Sequence, residues 1–173
     1  MNKIDKLILE MIDFDAGEPE LIQHFIKVYE FAKLIGNMEN ISSDKMEILE
    51  AATIVHDIGI KVSMEKYGKC NGKLQEQEGP VYAEAILNKF EFKQDIIDRV
   101  SYLVAHHHTY SSIDGIDYQI LVEADFLVNL YENKSSKEAI QNNYSKIFKT
   151  ESGRKLCRKM FALIANPVDG DPS

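Results

Sequence analysis

Apolar residues recur every three to four positions along almost the whole chain, and no sustained alternation with a period of two interrupts them. This spacing is typical of amphipathic helices and predicts an all-α fold. Residues 59–78, which contain Gly68, Gly72 and four lysines, predict instead a long loop that is functional or mobile. We expect helices over residues 2–12, 19–36, 41–59, 79–90, 93–108, 118–131, 135–148 and 151–165.

The length of 173 residues fits one domain with one sizeable core. We expect a single compact multi-helix bundle over residues 1–165 and a flexible C-terminal tail over residues 166–173. Stripes of isoleucine, leucine and phenylalanine on the outer helices suit either the core or a contact between copies. A homo-oligomer is therefore compatible with the sequence.

The composition narrows the classes of partner. A formal net charge of −8 and a pI near 5.1 argue against binding of a nucleic-acid polymer, which depends on clustered Lys and Arg, but allow a small anion at a local basic patch. No apolar run is long enough to cross a membrane, and acidic residues interrupt the first hydrophobic stretch, so we expect a cytoplasmic protein without a membrane partner. Cys70 and Cys157 lie in unrelated contexts and predict reduced thiols.

All five histidines fall in three places: position 24, position 56 and the triplet 106–108. His24 lies on an apolar helical stripe with Val28, Phe31 and Ile35. Taken alone, it suits a hydrogen-bonded core histidine as well as a ligand. Asp125 lies in the middle of an apolar helix, where a carboxylate must be paired or neutralised. A salt bridge to a lysine or arginine is the simple alternative to a metal.

The pair His56 and Asp57 ends the apolar run AATIV, where two polar groups cost several kcal/mol to desolvate unless something pairs with them. Neighbouring helical residues diverge by about 100°, but at a helix end they can converge, and Gly59 lets the backbone turn away. Together with His24 and Asp125, this pair would offer one divalent ion two imidazoles and two carboxylates. The two carboxylate charges would offset the charge of the ion. Mixed N and O ligation suits Mn, Fe, Co, Ni or Zn, with Mg also compatible.

The ordered pattern H…HD…D, with the doublet at the end of a helix, resembles the HD-domain metal-dependent phosphohydrolase superfamily over residues from about 20 to 132. The strings HDIGIK, EGPVYAEAIL, VAHHHTY and ILVEADFLVNL add to the resemblance. It implies a metal site between helices and attack of a metal-activated water on a phosphoester or phosphoanhydride of a small metabolite or nucleotide. The metal ligands that it implies are His24, His56, Asp57 and Asp125.

Many members of this superfamily also carry a histidine just before the helix that we expect to start at Gly79. The corresponding segment here, KLQEQEG, has none. A second metal ion is therefore less expected, although His106, His107 and a carboxylate such as Glu78 could supply a weaker second position.

Other residues are candidates for contacts with the substrate. His106 and His107 could donate to the phosphate or protonate the leaving oxygen; the alternative is a pair of exposed cations at a helix end, and His108 is expected on the outside. Glu78 could orient water, or could be an ordinary solvated acid. Lys61, close to the doublet in sequence, could bind phosphate charge that the metal leaves unneutralised.

Three other functions are compatible with this sequence. A second bound metal would permit di-iron oxygenase-like chemistry on the same scaffold. A catalytically silent domain would bind a metal or nucleotide as a sensor or interaction module. A helical bundle without a site would need a separate ionic partner for each of the four polar residues, although Lys and Arg are scarce around them.

Overall fold

In a computed structural model of the chain, residues 1–163 can be described, and their regular structure is helical throughout, as the spacing of apolar residues predicts. The tail expected at residues 166–173 and the expected domain end at residue 165 lie outside this range. The helices are α1 (Lys3–Phe14), α2 (Pro19–Met38), α3 (Ser43–Val55), α4 (Gly59–Tyr67), α5 (Gly72–Lys89), α6 (Gln94–Val104), α7 (Ile116–Glu132), α8 (Lys137–Ile147) and α9 (Glu151–Phe161).

Helix α3 lies at the centre of the bundle, where it packs against α1, α2, α6 and α7. All five residues of its last stretch, 51–55, are buried, as expected for a helix covered on every side. Helix α7 packs against α2 and α3 and is also buried along most of its length. The central pair of helices therefore carries polar groups deep into the molecule.

The loop predicted over residues 59–78 is wrong, because this segment forms α4 and the first two turns of α5. Gly68 ends α4 in the left-handed region (φ 65°), and the Asn71 side chain caps α5 by accepting from the Leu74 amide (3.0 Å). Pro80 consequently lies inside α5 rather than in a first turn. The glycines mark a helix boundary and a close contact, since a Cβ on Gly72 would lie 2.9 Å from the His108 ring.

Two further expectations concern membrane-spanning helices and the two cysteines. None of the described helices combines the length and hydropathy needed to span a membrane. Cys70 and Cys157 are both free thiols, and burial raises the pKa of Cys157 to about 12.

Candidate metal centre

The fold brings together four polar residues that lie within its apolar helices or directly after one. His24 projects from α2, His56 and Asp57 follow the end of α3, and Asp125 projects from α7. His24 Nε2 lies 3.3 Å from Asp57 Oδ2 and 3.1 Å from Asp125 Oδ1. His56 Nε2 lies 3.4 Å and 3.6 Å from the same two oxygens. Two imidazole nitrogens thus face two carboxylate oxygens in one cluster.

The doublet converges because α3 ends just before it. The helix ends at Val55, His56 is the C-cap, and Asp57 lies in the turn that leads into α4. The expectation that the helix continues to Gly59 is therefore wrong, since Gly59 is the first residue of α4. Glycine is needed at that position for a different reason: a Cβ there would lie 2.6 Å from the backbone oxygen of Gln75 in α5.

The outer nitrogens of the histidine rings are held by acceptors. His56 Nδ1 donates to the Thr53 carbonyl oxygen (2.8 Å), and His24 Nδ1 donates to Glu132 Oε2 (2.8 Å). A carbonyl or carboxylate oxygen accepts only, so each Nδ1 carries a hydrogen. The neutral rings would therefore offer their Nε2 lone pairs to the centre of the cluster, as metal-binding histidines do.

A divalent metal fits this donor set. His56 Nε2 and His107 Nε2 are buried and have no hydrogen-bond partner among the described residues, a costly condition for a ring nitrogen. His24, His56 and Asp57 each offer a ligand atom, and these atoms lie within 4.8 Å of one another. An ion at this point would supply the missing partner of His56 and bind two carboxylate groups. Nitrogen and oxygen donors together suit a first-row transition metal.

The charges of the cluster compensate one another when no metal is bound. Burial disfavours the imidazolium of His24, but the hydrogen bond to Asp125 and the charge of Asp57 outweigh burial and raise the pKa of His24 to about 9. Burial and the same carboxylates act in the same opposed way on His56, whose pKa is also raised. The pKa of Asp57 is lowered despite burial, chiefly by the charge of His56. A metal ion would take the place of these imidazole protons.

The histidine triplet divides between the cluster and its surroundings. His107 is buried, its Nε2 lies 3.4 Å from Asp57 Oδ1, and its Nδ1 donates to the Val104 carbonyl oxygen (2.8 Å). His106 points elsewhere: its ring stacks on Tyr102, and its Nδ1 is 2.7 Å from the Tyr102 carbonyl oxygen. The structure therefore brings only one of the two candidate catalytic histidines to the doublet.

His108, expected on the outside, is half-buried and forms a second group with Asp57 and His107, again with ligand atoms within 4.8 Å. Both of its ring nitrogens have partners: Nε2 donates to Gln75 Oε1 (2.8 Å), and Nδ1 accepts from the Tyr110 hydroxyl (3.3 Å). A second ion could bind here only if His108 exchanged one of these partners.

Glu78 and Lys61 have partners outside the cluster. The Glu78 carboxylate is bonded to the Lys66 amine and accepts from the Tyr67 hydroxyl (2.8 Å). Lys61 Nζ donates to the Phe14 carbonyl oxygen (2.5 Å) and lies over the ring of the same residue. Neither group is brought into contact with the metal ligands.

Several residues at the cluster were not among the sequence candidates. Asn129 donates to Asp125 Oδ1 (2.7 Å). This neutral amide takes the place of the lysine or arginine that was the alternative partner of the carboxylate. Glu132 binds His24, and Gln75 binds His108. Asn129 and Glu132 follow Asp125 by four and seven residues on α7, so helical spacing was the available signal.

Comparisons with known proteins identify the family of this chain and a structure similar to it. A family model described as HD domain matches residues 21–149, which contain all four proposed ligands. The crystal structure of a predicted HD superfamily hydrolase from an uncultured Thermotogales bacterium is similar, with a TM-score of 0.63 and 25% sequence identity over 92% of this chain and 83% of that chain. No curated protein matches the sequence.

Proposed function

This chain belongs to the HD domain family, and from that premise we propose that it is a metal-dependent hydrolase of a phosphoric ester or anhydride. The proposed substrate is a small phosphorylated metabolite or a nucleotide. The observation that carries the proposal is the convergence of two histidine Nε2 atoms on two carboxylates, 3.1–3.6 Å apart, with His56 Nε2 otherwise unpartnered among the described residues.

We propose His24, His56, Asp57 and Asp125 as the residues that hold a divalent ion, with Mn, Fe, Co, Ni or Zn favoured and Mg compatible. Such an ion lowers the pKa of water and polarises a phosphoryl oxygen. Asp57 is the most exposed of the four, with 20% of its side chain accessible against at most 8% for the others. The substrate would therefore approach from the side of Asp57.

His107 is our candidate for the proton donor to the leaving oxygen. Its Nε2 faces Asp57, and the hydrogen bond from its Nδ1 to the Val104 carbonyl oxygen fixes the orientation of the ring. Proton donation at such a position typically contributes 10²–10⁴-fold to the rate. Glu78 and Lys61 would first have to leave their present partners, so we assign them no role in the reaction.

The test begins with elemental analysis of the purified protein. Phosphate release from nucleotides and sugar phosphates is then measured with Mn, Co, Ni, Mg and Zn. Asp57→Asn removes a ligand charge with little change of shape and is expected to lose both the metal and turnover. Asp13→Asn, which makes the same change at an exposed position on α1, is the matched control and should keep both.

Two outcomes would contradict the proposal. Equal turnover by Asp57→Asn and the parent would remove Asp57 from the mechanism. If the protein binds metal but releases phosphate with none of these metals, the silent sensor or interaction module is favoured.

A further inference from the structure

His24 is held differently from the other two histidines that face the cluster. His56 and His107 each donate from Nδ1 to a backbone carbonyl three residues earlier in the chain. His24 donates instead to the carboxylate of Glu132, which belongs to another helix and lies 108 residues away in sequence. The orientation of His24 thus depends on a side chain of another helix, whereas backbone carbonyls orient His56 and His107.

Two side chains of helix α7 contact the two ring nitrogens of His24. Asp125 Oδ1 lies 3.1 Å from Nε2, and Glu132 Oε2 lies 2.8 Å from Nδ1. The two acids are seven residues apart, two helical turns along one face of α7. Lys27, one turn after His24 on α2, donates from Nζ to the other oxygen of Glu132 (2.5 Å) and so fixes the carboxylate itself.

These contacts matter for ligation because only one tautomer of a neutral histidine can bind through Nε2. An ionised carboxylate accepts hydrogen bonds and cannot donate, so Glu132 requires a hydrogen on Nδ1 and leaves the Nε2 lone pair for the ion. A carboxylate at the outer nitrogen also makes the ring a stronger base and a stronger ligand. A backbone carbonyl provides the same orientation with less charge.

We propose that Glu132 is a positioning residue that fixes the His24 ring for metal binding, with Lys27 holding the Glu132 carboxylate in place. This inference rests on the proposed ligation by His24. Glu132 and Lys27 keep 30% and 37% of their side chains exposed, so their ion pair alone contributes little to folding. Loss of Glu132 should therefore weaken metal binding without unfolding the chain.

The experiment measures the Kd of Co²⁺ for the full chain by calorimetry. Glu132→Ala is expected to weaken binding about 10–100-fold, the usual effect of removing an outer partner of a metal-bound histidine. Glu132→Gln keeps an oxygen that can accept from Nδ1 and should recover part of this loss. Glu30→Ala, an exposed acid on α2, is the matched control for loss of one negative charge and should bind as the parent does.

A second measurement follows the ring directly. In the Zn²⁺-loaded protein, ¹H–¹⁵N NMR spectra should show a slowly exchanging Nδ1 hydrogen on His24 that exchanges faster in Glu132→Ala and in Glu132→Gln. Circular dichroism checks that each variant is folded. If Glu132→Ala does not fold, Glu132→Gln provides both measurements.

The outcomes separate this inference from the proposed function. If His24→Ala loses Co²⁺ while the folded Glu132 variants bind it within twofold of the parent and keep the slow Nδ1 hydrogen, the positioning role is wrong and the ligand set stands. If His24→Ala binds Co²⁺ as tightly as the parent, the ligand set itself is wrong, and the positioning role falls with it.

Discussion

Gly59 lies directly against the backbone of Gln75: a Cβ atom on Gly59 would be 2.6 Å from the Gln75 carbonyl oxygen and 2.8 Å from its α-carbon. This contact joins the first turn of α4 to α5. Asp57 is only two residues before Gly59, so the same contact sets the position of a proposed ligand. The packing of α4 against α5 and the geometry of the cluster of proposed ligands therefore both require a glycine at position 59.

We predict that Gly59→Ala destabilises the protein by about 1–3 kcal/mol, because a backbone neighbour cannot move aside as a flexible side chain would. It should also weaken metal binding by displacing Asp57. Thermal unfolding and calorimetry with Co²⁺ measure the two effects. Gly17→Ala is the control: its φ of 91° makes alanine strained, with nothing within 4 Å of the added Cβ. It should lower stability and leave metal affinity unchanged.

The four proposed ligands could be proposed from sequence because each interrupts an apolar stretch of a helix or directly follows one. Burying a polar residue at such a position is costly unless it is paired, so a polar residue in an apolar run points to a partner. His24 and Asp125 could therefore both be recognised as candidate ligands, although 101 residues separate them. The all-α class could be predicted for a related reason, since the described helices other than α4 all contribute apolar residues to one core.

Residues that support the ligands could not be found in this way. Glu132 is the last residue of α7 and Gln75 lies in a polar stretch, so both have the pattern of ordinary surface positions. Segment 59–78 was predicted as a loop because glycine and lysine are frequent in it. Its helices depend on packing against each other and on contacts with Gly59 and Gly72, which local sequence does not reveal.

The histidine triplet offers a matched pair of variants. His107→Gln is expected to lower turnover about 100-fold or more, because His107 faces Asp57 and is our candidate proton donor. His106→Gln should change turnover less than about threefold, since the His106 ring stacks on Tyr102 outside the cluster. Steady-state hydrolysis of the best substrate from the screen measures both. Equal losses in the two variants would contradict the assignment.

Glu123 is a fully buried carboxylate that fixes α9 to α7. Its Oε1 accepts from the Gln119 side chain (2.7 Å) and from the amides of Lys149 (2.6 Å) and Thr150 (2.9 Å). Its Oε2 is bonded to the Thr150 hydroxyl. Removing the carboxylate would leave several of these donors unsatisfied in the interior.

We therefore predict that Glu123→Ala lowers the free energy of unfolding by roughly 2–4 kcal/mol. Glu123→Gln should cost less, because its amide oxygen can still accept the three N–H groups that Oε1 accepts. Urea denaturation measures these differences, with Glu65→Ala on the exposed side of α4 as the control. An unchanged urea midpoint for Glu123→Ala would show that α9 is held by other contacts.

Asp15 is buried at the end of α1, and its carboxyl group is sensitive to the charge of the cluster. Burial raises its pKa from 3.8 to about 6; the charge of Lys61 opposes this shift, and those of Asp57 and Glu18 add to it. The folded state thus binds the Asp15 proton more tightly than the unfolded chain does. Stability from this group is complete below about pH 4 and is lost as the pH rises through 6.

Asp15→Asn cannot ionise and should escape this loss. In the metal-free protein, kept with a chelator, we predict that the variant gains stability relative to the parent as the pH rises from 4 to 7, with a plateau above pH 7. The gain should be roughly 1–3 kcal/mol, or about 2–12 °C in Tm, because each unit of difference in pKa between the folded and unfolded states corresponds to about 1.4 kcal/mol. Thermal unfolding of both proteins at several pH values measures it. The added metal should reduce the gain, since neutralising Asp57 removes one cause of the shift, whereas a difference independent of pH would contradict the prediction.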